Sequence, residues 1–230
     1  MRQRGSASQP ARSTTTPRIL RLSELDPIPV AGIQWLPVRR PLGVSAFGIN
    51  AYRADAGEQL IESHTELGSG AGGHEELYVV VAGRATFTVD GEEIDAPAGT
   101  LVFVPERESR RGAVAVEAGT TAFVVGGKSG AAGPVSPWEY YFATEPARRA
   151  GDYAGAREIL AEGLRHHPGH PTILYELACF HALAGEREEA LEHLQKAFAG
   201  DPKLREHAAG DSDLDSIRDA IPGSAEAADG

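Results

Sequence analysis

Two stretches of this chain decide its fold: His74-Glu-Glu-Leu-Tyr-Val-Val-Val-Ala-Gly83 and Gly99-Thr-Leu-Val-Phe-Val-Pro105. Each contains an apolar run of strand length that ends at a glycine or a proline, residues that interrupt strands. Between them, Ala85-Thr-Phe-Thr-Val89 alternates apolar and polar side chains, as a strand with one buried face requires. The dipeptide Asp90-Gly91 suits a two-residue hairpin turn, because both positions of that turn need positive φ. These residues are therefore predicted to form antiparallel β-structure.

Similar short runs recur through the first half of the chain, separated by turn residues. Many short strands at nearly even spacing predict a β-sandwich or barrel. The glycine-rich segment 127–134 then has the composition of a linker. Nine strands are predicted: 32–38, 44–53, 59–66, 77–82, 85–89, 93–96, 100–104, 113–116 and 121–125.

After the linker the hydrophobic period becomes helical, and a repeat of 34 residues appears. Small residues in each unit let two helices approach closely, and a proline ends each unit. A shortened third helix, at about 202–209, would cap the stack. Because a free-standing array usually needs at least about three repeats, we expect these helices to pack against the barrel or a second subunit. The positions Gly151, Tyr153, Ala156, Leu160, Gly163 and Pro168 return as Gly185, Arg187, Ala190, Leu194, Ala197 and Pro202.

The first half resembles the cupin superfamily of β-barrels, and the second half resembles the tetratricopeptide repeat. The first cupin motif has paired histidines before a glutamate and a glycine; here Glu76 and Gly83 keep the spacing from glutamate to glycine. The glycine-rich run 68–73 stands where the paired histidines would lie, and looping it out makes His64 and Glu66 a shifted pair. The resemblance implies one divalent transition metal ion (Fe, Mn, Ni or Zn). Its candidate ligands are His64, Glu66, His74 and Glu76.

Arg110 occupies the position at which the second cupin motif supplies a further histidine. A guanidinium stays protonated and has no acceptor, so it cannot ligate a metal. In the mouth of the barrel it would repel a cation, pair with Glu76, or bind a carboxylate or phosphate in bidentate fashion. We therefore expect Arg110, Glu76 and Tyr78 to contact a small-molecule ligand.

Two functional hypotheses follow. In the favoured one, the chain is a non-enzymatic binding or regulatory protein whose barrel holds a small, anionic ligand near Arg110. Its repeat segment would engage a protein partner or a second copy in a homodimer. In the alternative, the barrel is a metal-dependent enzyme of dioxygenase, isomerase or lyase type. Fold alone does not separate the two, because such barrels host many unrelated functions.

Charge and composition limit the class of partner. The net charge is −11, which disfavours binding to nucleic acid or to an anionic membrane. The first residues lack the apolar stretch of a secretory signal, and the single cysteine, Cys179, excludes an internal disulfide. A cytoplasmic α+β protein of several domains is predicted. Its expected parts are a disordered basic tail (1–17), a cupin-like β-barrel (18–127), a linker (128–137), two tetratricopeptide repeats with a capping helix (138–220) and a disordered tail (221–230).

Overall fold

Strands and helices are segregated along the chain. The computed structural model describes residues 17–30, 32–67 and 72–221. The chain divides into two units, Met1–Ala132 and Gly133–Gly230. In the described residues, the first unit holds all the strands and the second holds the long helices, which confirms the predicted α+β class. The predicted disordered tails fall almost wholly on residues 1–16 and 222–230, which lie outside this description.

The first unit consists of two antiparallel sheets. A six-stranded sheet has the order β1-β2-β3-β10-β5-β8, and a four-stranded sheet has the order β4-β9-β6-β7. Every one of the nine predicted strands has a counterpart, whereas β1 and the short helix α1 (Arg39–Leu42) were not predicted; a 3₁₀ helix (Leu22–Glu24) precedes them. The strands are β1 (Ile28–Val30), β2 (Ile33–Leu36), β3 (Gly48–Ala54), β4 (Gln59–His64), β5 (Glu75–Ala82), β6 (Arg84–Val89), β7 (Glu92–Pro97), β8 (Leu101–Val104), β9 (Arg111–Ala115) and β10 (Thr120–Gly127).

The inner faces of the two sheets share one apolar core. Ala85 and Phe87 of β6 are fully buried while Thr88 is exposed, so the predicted alternation of this strand is confirmed. The ring of Phe87 lies 5.3 Å from that of Tyr78 on β5, which joins the two sheets. Burial of an apolar side chain of this size stabilises the fold by about 1.5–3 kcal/mol. The core is therefore what holds the two sheets face to face.

The turn between β6 and β7 has the predicted geometry. Val89 pairs with Glu92, so that Asp90 and Gly91 are the two loop residues. Their φ angles are 50° and 89°. Such positive values match the right-handed twist of the flanking strands, and they explain why Asp-Gly occurs here.

The second unit is a stack of helices that follows the predicted repeat. Helices α4 and α6 each have 14 residues and begin at equivalent positions, Tyr153 and Arg187. The two glycines that precede them, Gly151 and Gly185, have φ angles of 70° and 79°. The predicted 34-residue period is thus confirmed. The helices are α2 (Pro137–Ala143), α3 (Glu145–Ala150), α4 (Tyr153–His166), α5 (Pro171–Leu183), α6 (Arg187–Gly200) and α7 (Leu204–Gly210), followed by a 3₁₀ helix (Ser212–Ala220).

The recurring small and large residues form the helix seams. Ala156, Ala190, Leu160 and Leu194 are all fully buried. The first repeat is less regular, because its first helix is broken into α2 and α3 at Thr144. No helix in the described parts of the chain combines the length and apolar character needed to cross a bilayer.

Candidate functional site in the barrel

The candidate site lies where the inner faces of the two sheets meet at one end of the first unit. His64 is the last residue of β4, and Arg111, its partner in the ladder, is the first residue of β9. Glu76 and Tyr78 project from β5 of the other sheet, because alternate residues of a strand share a face. Ionisable side chains of both sheets therefore converge inside the barrel.

Three side chains offer converging metal-binding atoms. The Nε2 of His64 lies 3.8 Å from Oε1 of Glu66 and 3.4 Å from Oε2 of Glu76. One ligand atom from each of the three lies within 4.8 Å of the others. This spacing is close enough for a single ion to contact all three after small side-chain movements.

The other ring nitrogen of His64 fixes its orientation. Nδ1 lies 2.7 Å from the backbone oxygen of Glu62, which can only accept, so Nδ1 donates the hydrogen. A neutral His64 would then direct the lone pair of Nε2 at two carboxylates, an unfavourable contact unless a cation intervenes. Without a metal that cation is a proton: the hydrogen bond to Glu76, above all, raises the pKa of His64 although burial opposes this.

Glu66 links this site to the returning chain. Its Oε2 accepts the backbone N–H groups of Gly72, at 2.9 Å, and His74, at 3.2 Å. Its Oε1 is the atom that faces His64. Residues 68–71 lie outside the described part of the chain; Gly72 is the first described residue after them. Glu66 therefore both binds the backbone that leads into β5 and presents an oxygen to the site.

His74 is near the site but outside the converging set. It precedes β5, and its Nδ1 lies 4.0 Å from Oε2 of Glu66. A side chain at Gly72 would collide with the His74 ring, so glycine at 72 permits the observed ring position. Of the four candidate ligands, the structure brings together His64, Glu66 and Glu76, with His74 alongside.

Glu76 is the centre of the electrostatic network. The hydroxyl of Tyr78 donates to its Oε2 at 2.6 Å. Burial acts to raise the pKa of Glu76, but hydrogen bonds from His64 and Tyr78, together with the charge of Arg111, outweigh it and lower that pKa. Burial and the Glu76 charge raise the pKa of Tyr78, and likewise that of Tyr52. Both phenols are therefore neutral donors beside an ionised carboxylate.

Arg110 was expected in the mouth of the barrel, but the structure places it on the outside. Arg110 is exposed, and it lines a surface depression of about 570 Å³ on the outer side of the four-stranded sheet. The residue that enters the barrel is its neighbour Arg111, which is 0% exposed. The two differ because β9 begins at Arg111, and successive side chains of a strand point to opposite faces. Ala113 and Ala115 lie on the same face of β9 as Arg111 and are also buried. This alternation of small apolar residues is the pattern in the sequence from which Arg111 could have been identified.

Arg111 is incompletely hydrogen-bonded. Its Nη2 donates to the backbone oxygen of Glu106 at 2.9 Å, while Nε lies 3.7 Å from Oε2 of Glu76. Nε and Nη1 have no hydrogen-bond partner in the described residues. A buried unsatisfied donor costs about 1–3 kcal/mol, and more when it is charged. The Nε and Nη1 donors of Arg111 are therefore available to bind an acceptor in the interior of the barrel.

A second group of ligand-type atoms occurs in the helical unit. One atom each from Cys179, Asp211 and Asp213 lie within 4.8 Å of one another. Burial, above all, raises the pKa of the Cys179 thiol. The protonated thiol is therefore the favoured form of Cys179 when no metal is bound. The Cys179 thiol makes a weak hydrogen bond to Asp211 at 3.7 Å.

Comparison with known proteins gives different relatives for the two units. Residues 147–210 match the family model described as "Tetratricopeptide repeat". A comparison with curated proteins gives no match.

Some of the solved structures similar to this chain are described as cupin proteins. One is a cupin protein from Bacteroides fragilis, with 18% identity and a TM-score of 0.38, over 49% of this chain and 92% of that chain. A sugar phosphate isomerase from a cupin superfamily, from Silicibacter pomeroyi, has 20% identity and a TM-score of 0.41, over 49% and 76%. KdgF from a Halomonas species has 21% identity and a TM-score of 0.38, over 48% and 93%. The matched repeat lies in the helical unit, and the solved structures above each cover about half of this chain.

Proposed function

We propose that the barrel is a small-molecule binding site built around one divalent transition metal ion, held by His64, Glu66 and Glu76. The observation that carries this proposal is the orientation of His64. Its Nδ1–H is committed to Glu62, so Nε2 is left facing two carboxylates at 3.4 and 3.8 Å. A histidine oriented through its second nitrogen is the usual arrangement at metal sites.

The donor set fits such an ion. One imidazole nitrogen and two carboxylate oxygens suit Zn, Fe, Mn or Ni. Oε2 of Glu66 accepts hydrogen bonds from Gly72 and His74, and these fix the orientation of the carboxylate so that Oε1 faces His64. The hydrogen bond that Glu76 accepts from Tyr78 restricts the other. These contacts would hold the carboxylates in place for binding.

The second candidate function is metal-dependent catalysis of the dioxygenase, isomerase or lyase type. Its support is the number of ligands: catalytic ions commonly have three protein ligands and keep a position for water or substrate. A bound ion would supply Lewis acidity at such a position. Tyr52, which is neutral, would be available to donate a hydrogen bond to a bound molecule, whereas the hydroxyl of Tyr78 already donates to Glu76.

The test of the metal site is the metal content of the full chain purified without chelator, measured by mass spectrometry of the elements. We expect about one equivalent of a transition metal, and its loss in His64→Ala and Glu76→Gln. The matched control is Glu75→Gln, because Glu75 is the adjacent residue and points to the opposite face of β5. Folded protein that contains no metal and takes up no Zn²⁺, Mn²⁺, Fe²⁺ or Ni²⁺ would refute the proposal.

We further propose that the helical unit engages a protein partner, in the first instance a second copy of the chain. The similarity to tetratricopeptide repeats supports this, and so does an exposed aromatic pair on α2. Trp138 and Phe142 are 59% and 66% exposed, and their rings lie 6.3 Å apart. Sedimentation equilibrium should show a dimer that Trp138→Ala weakens. A monomer at all concentrations would exclude self-association and direct the search to a different protein.

The proposed site of action is the cytoplasm. Its support is the chain's single cysteine, Cys179, which is buried as a free thiol.

A further inference from the structure

We infer that Arg111 recognises the ligand of the barrel, and that this ligand is a small monocarboxylate bound together with the metal ion. The inference rests on the proposed metal site and names the class of molecule that the site takes. It depends on two separate features of the described residues, the unused donors of Arg111 and the charge of the assembled site.

The first feature is the unused hydrogen-bonding capacity of the guanidinium. Arg111 is 0% exposed, and both Nε and Nη1 are without a partner in the described residues. Only Nη2 is engaged, with the backbone oxygen of Glu106. A guanidinium is strongly desolvated in such a position. Each of its two carboxylate-binding edges pairs Nη2 with one of the free donors, so the second N–H of Nη2 and either Nε or Nη1 match the two oxygens of a carboxylate.

Glu76 does not fill this role. Its Oε2 lies 3.7 Å from Nε of Arg111, which is longer than a hydrogen bond. The same oxygen already accepts from Tyr78 at 2.6 Å and faces Nε2 of His64 at 3.4 Å. Glu76 therefore compensates the charge of Arg111 in part and leaves its N–H groups available.

The second feature is the charge of the site when it holds a metal. As ligands, Glu66 and Glu76 are anionic and His64 is neutral, while Arg111 remains positive. A divalent ion therefore leaves the set with one positive charge in excess. Because an uncompensated charge is strongly disfavoured in a buried site, the metal-loaded barrel favours a monoanion. A dianion such as hydrogen phosphate would overshoot this balance.

The primary test compares two probes of similar shape on the full chain: glycolate, which is a monocarboxylate, and its neutral amide, glycolamide. Each is titrated by calorimetry into metal-free and Zn²⁺-loaded protein. Loading with Zn²⁺ should strengthen glycolate binding by about fivefold or more, within the roughly 5–150-fold range of site-to-site coupling. Glycolamide should show no such gain. Equal gains for both probes would overturn the inference, as would stronger binding of inorganic phosphate than of glycolate.

Variants then assign the effect to Arg111. Arg111→Gln should abolish the preference for glycolate over glycolamide, while Arg111→Lys should keep part of it, since the charge remains and the planar fork is lost. Arg110→Gln is the matched control, because Arg110 is the adjacent arginine and lies on the outer side of the sheet. It should retain the wild-type preference.

A purely structural role for Arg111 gives a different result. In that case Arg111→Gln would lower the thermal stability and leave the ratio of the two probe affinities unchanged. If Arg111→Gln does not fold, the ratio measured on Arg111→Lys distinguishes the two roles. The two proposals also fail separately: a chain that binds no Zn²⁺ refutes the metal site, whereas one that binds Zn²⁺ without favouring glycolate refutes only the inference on Arg111.

Discussion

Glu176 should make the helical unit lose stability as the pH rises. This residue lies on α5, largely buried, and its carboxylate accepts no hydrogen bond from the described residues. Burial, above all, and the charges of Asp211 and Asp213 raise its pKa to about 7, although Arg148 opposes this. Arg148 is itself paired with Asp213. The fold therefore prefers protonated Glu176.

The sign and size of the effect follow from proton linkage. A carboxyl whose pKa is higher in the folded chain stabilises the fold below its ordinary pKa of 4.5, and that contribution is lost as the pH rises through about 7. A difference of this size corresponds to roughly 3 kcal/mol. Because solvent still reaches part of the side chain and screens the charge, we expect about 2 kcal/mol.

The perturbation is Glu176→Gln, which keeps the shape and removes the charge. At pH 8 the variant should be more stable than the wild type by about 2 kcal/mol, whereas at pH 4.5 the two should agree. The free energy of unfolding is measured by urea titration of the full chain at both pH values. The circular dichroism at 222 nm reports the helical unit, because the long helices lie there.

The matched control for this change is Glu158→Gln. It removes a carboxylate from the exposed face of α4 and should leave the pH dependence unchanged. If Glu176→Gln gives the same difference from wild type at pH 4.5 and pH 8, the group does not titrate between these values. Burial beside Asp211 and Asp213 would then not raise the pKa of Glu176, and the prediction would be wrong.

Three further substitutions test individual contacts by thermal or urea unfolding. Tyr78→Phe removes a hydrogen bond to ionised Glu76 and should destabilise the first unit by about 1.5–3 kcal/mol. Gly163→Ala should destabilise by about 1 kcal/mol, because a methyl group would lie 2.9 Å from the Tyr140 ring, and overpacking of about 1–3 kcal/mol exceeds the helix propensity gained. Asp152→Ala removes the cap at the start of α4 and should cost about 1 kcal/mol.

Two of these substitutions have a matched comparison. Tyr52→Phe removes a phenol in the same core for which the structure gives no hydrogen bond to the described residues, so it should destabilise less than the change at Tyr78. Gly210→Ala adds a methyl group where nothing in the described residues lies within 4 Å, so it should be neutral or stabilising. Equal effects at Gly163 and Gly210 would show that helix propensity, and not packing, determines the outcome.

The helical unit was predictable almost residue by residue, because its signal is periodic. Small and large residues recur with a fixed spacing, so one well-defined unit locates the other. Helices α4 and α6 begin 34 positions apart for this reason. The break at Thr144 was harder to place, since Pro146 indicates an interruption but is itself compatible with the first turn of α3.

The strands were predictable where apolar residues alternate over several positions. Strand β1 was not predicted from the sequence, because Ile28–Val30 has only three residues and contains a proline. Helix α1 was not predicted either, because its four residues include Pro41 and are followed by a glycine, and both residue types indicate a turn. Gly43 has a φ of 67°. Segments of this length have too few side chains to display a period, and only tertiary packing determines their conformation.

At the candidate site, counting positions from a sequence motif identified the neighbour of the buried arginine. Counting along the chain from Pro105 leads to Arg110, but the count passes through a turn in which the N–H of Ser109 donates to the oxygen of Glu106. A turn resets the parity of the following strand, and an error of one residue exchanges its inner and outer faces. Counting back from Ala113, in steps of two, leads instead to Arg111. The difference is chemical: a guanidinium at 110 would be a solvated surface charge, whereas at 111 it is a buried charge with unused donors. The parity of the buried residues is therefore a better guide to a barrel site than the distance from a motif.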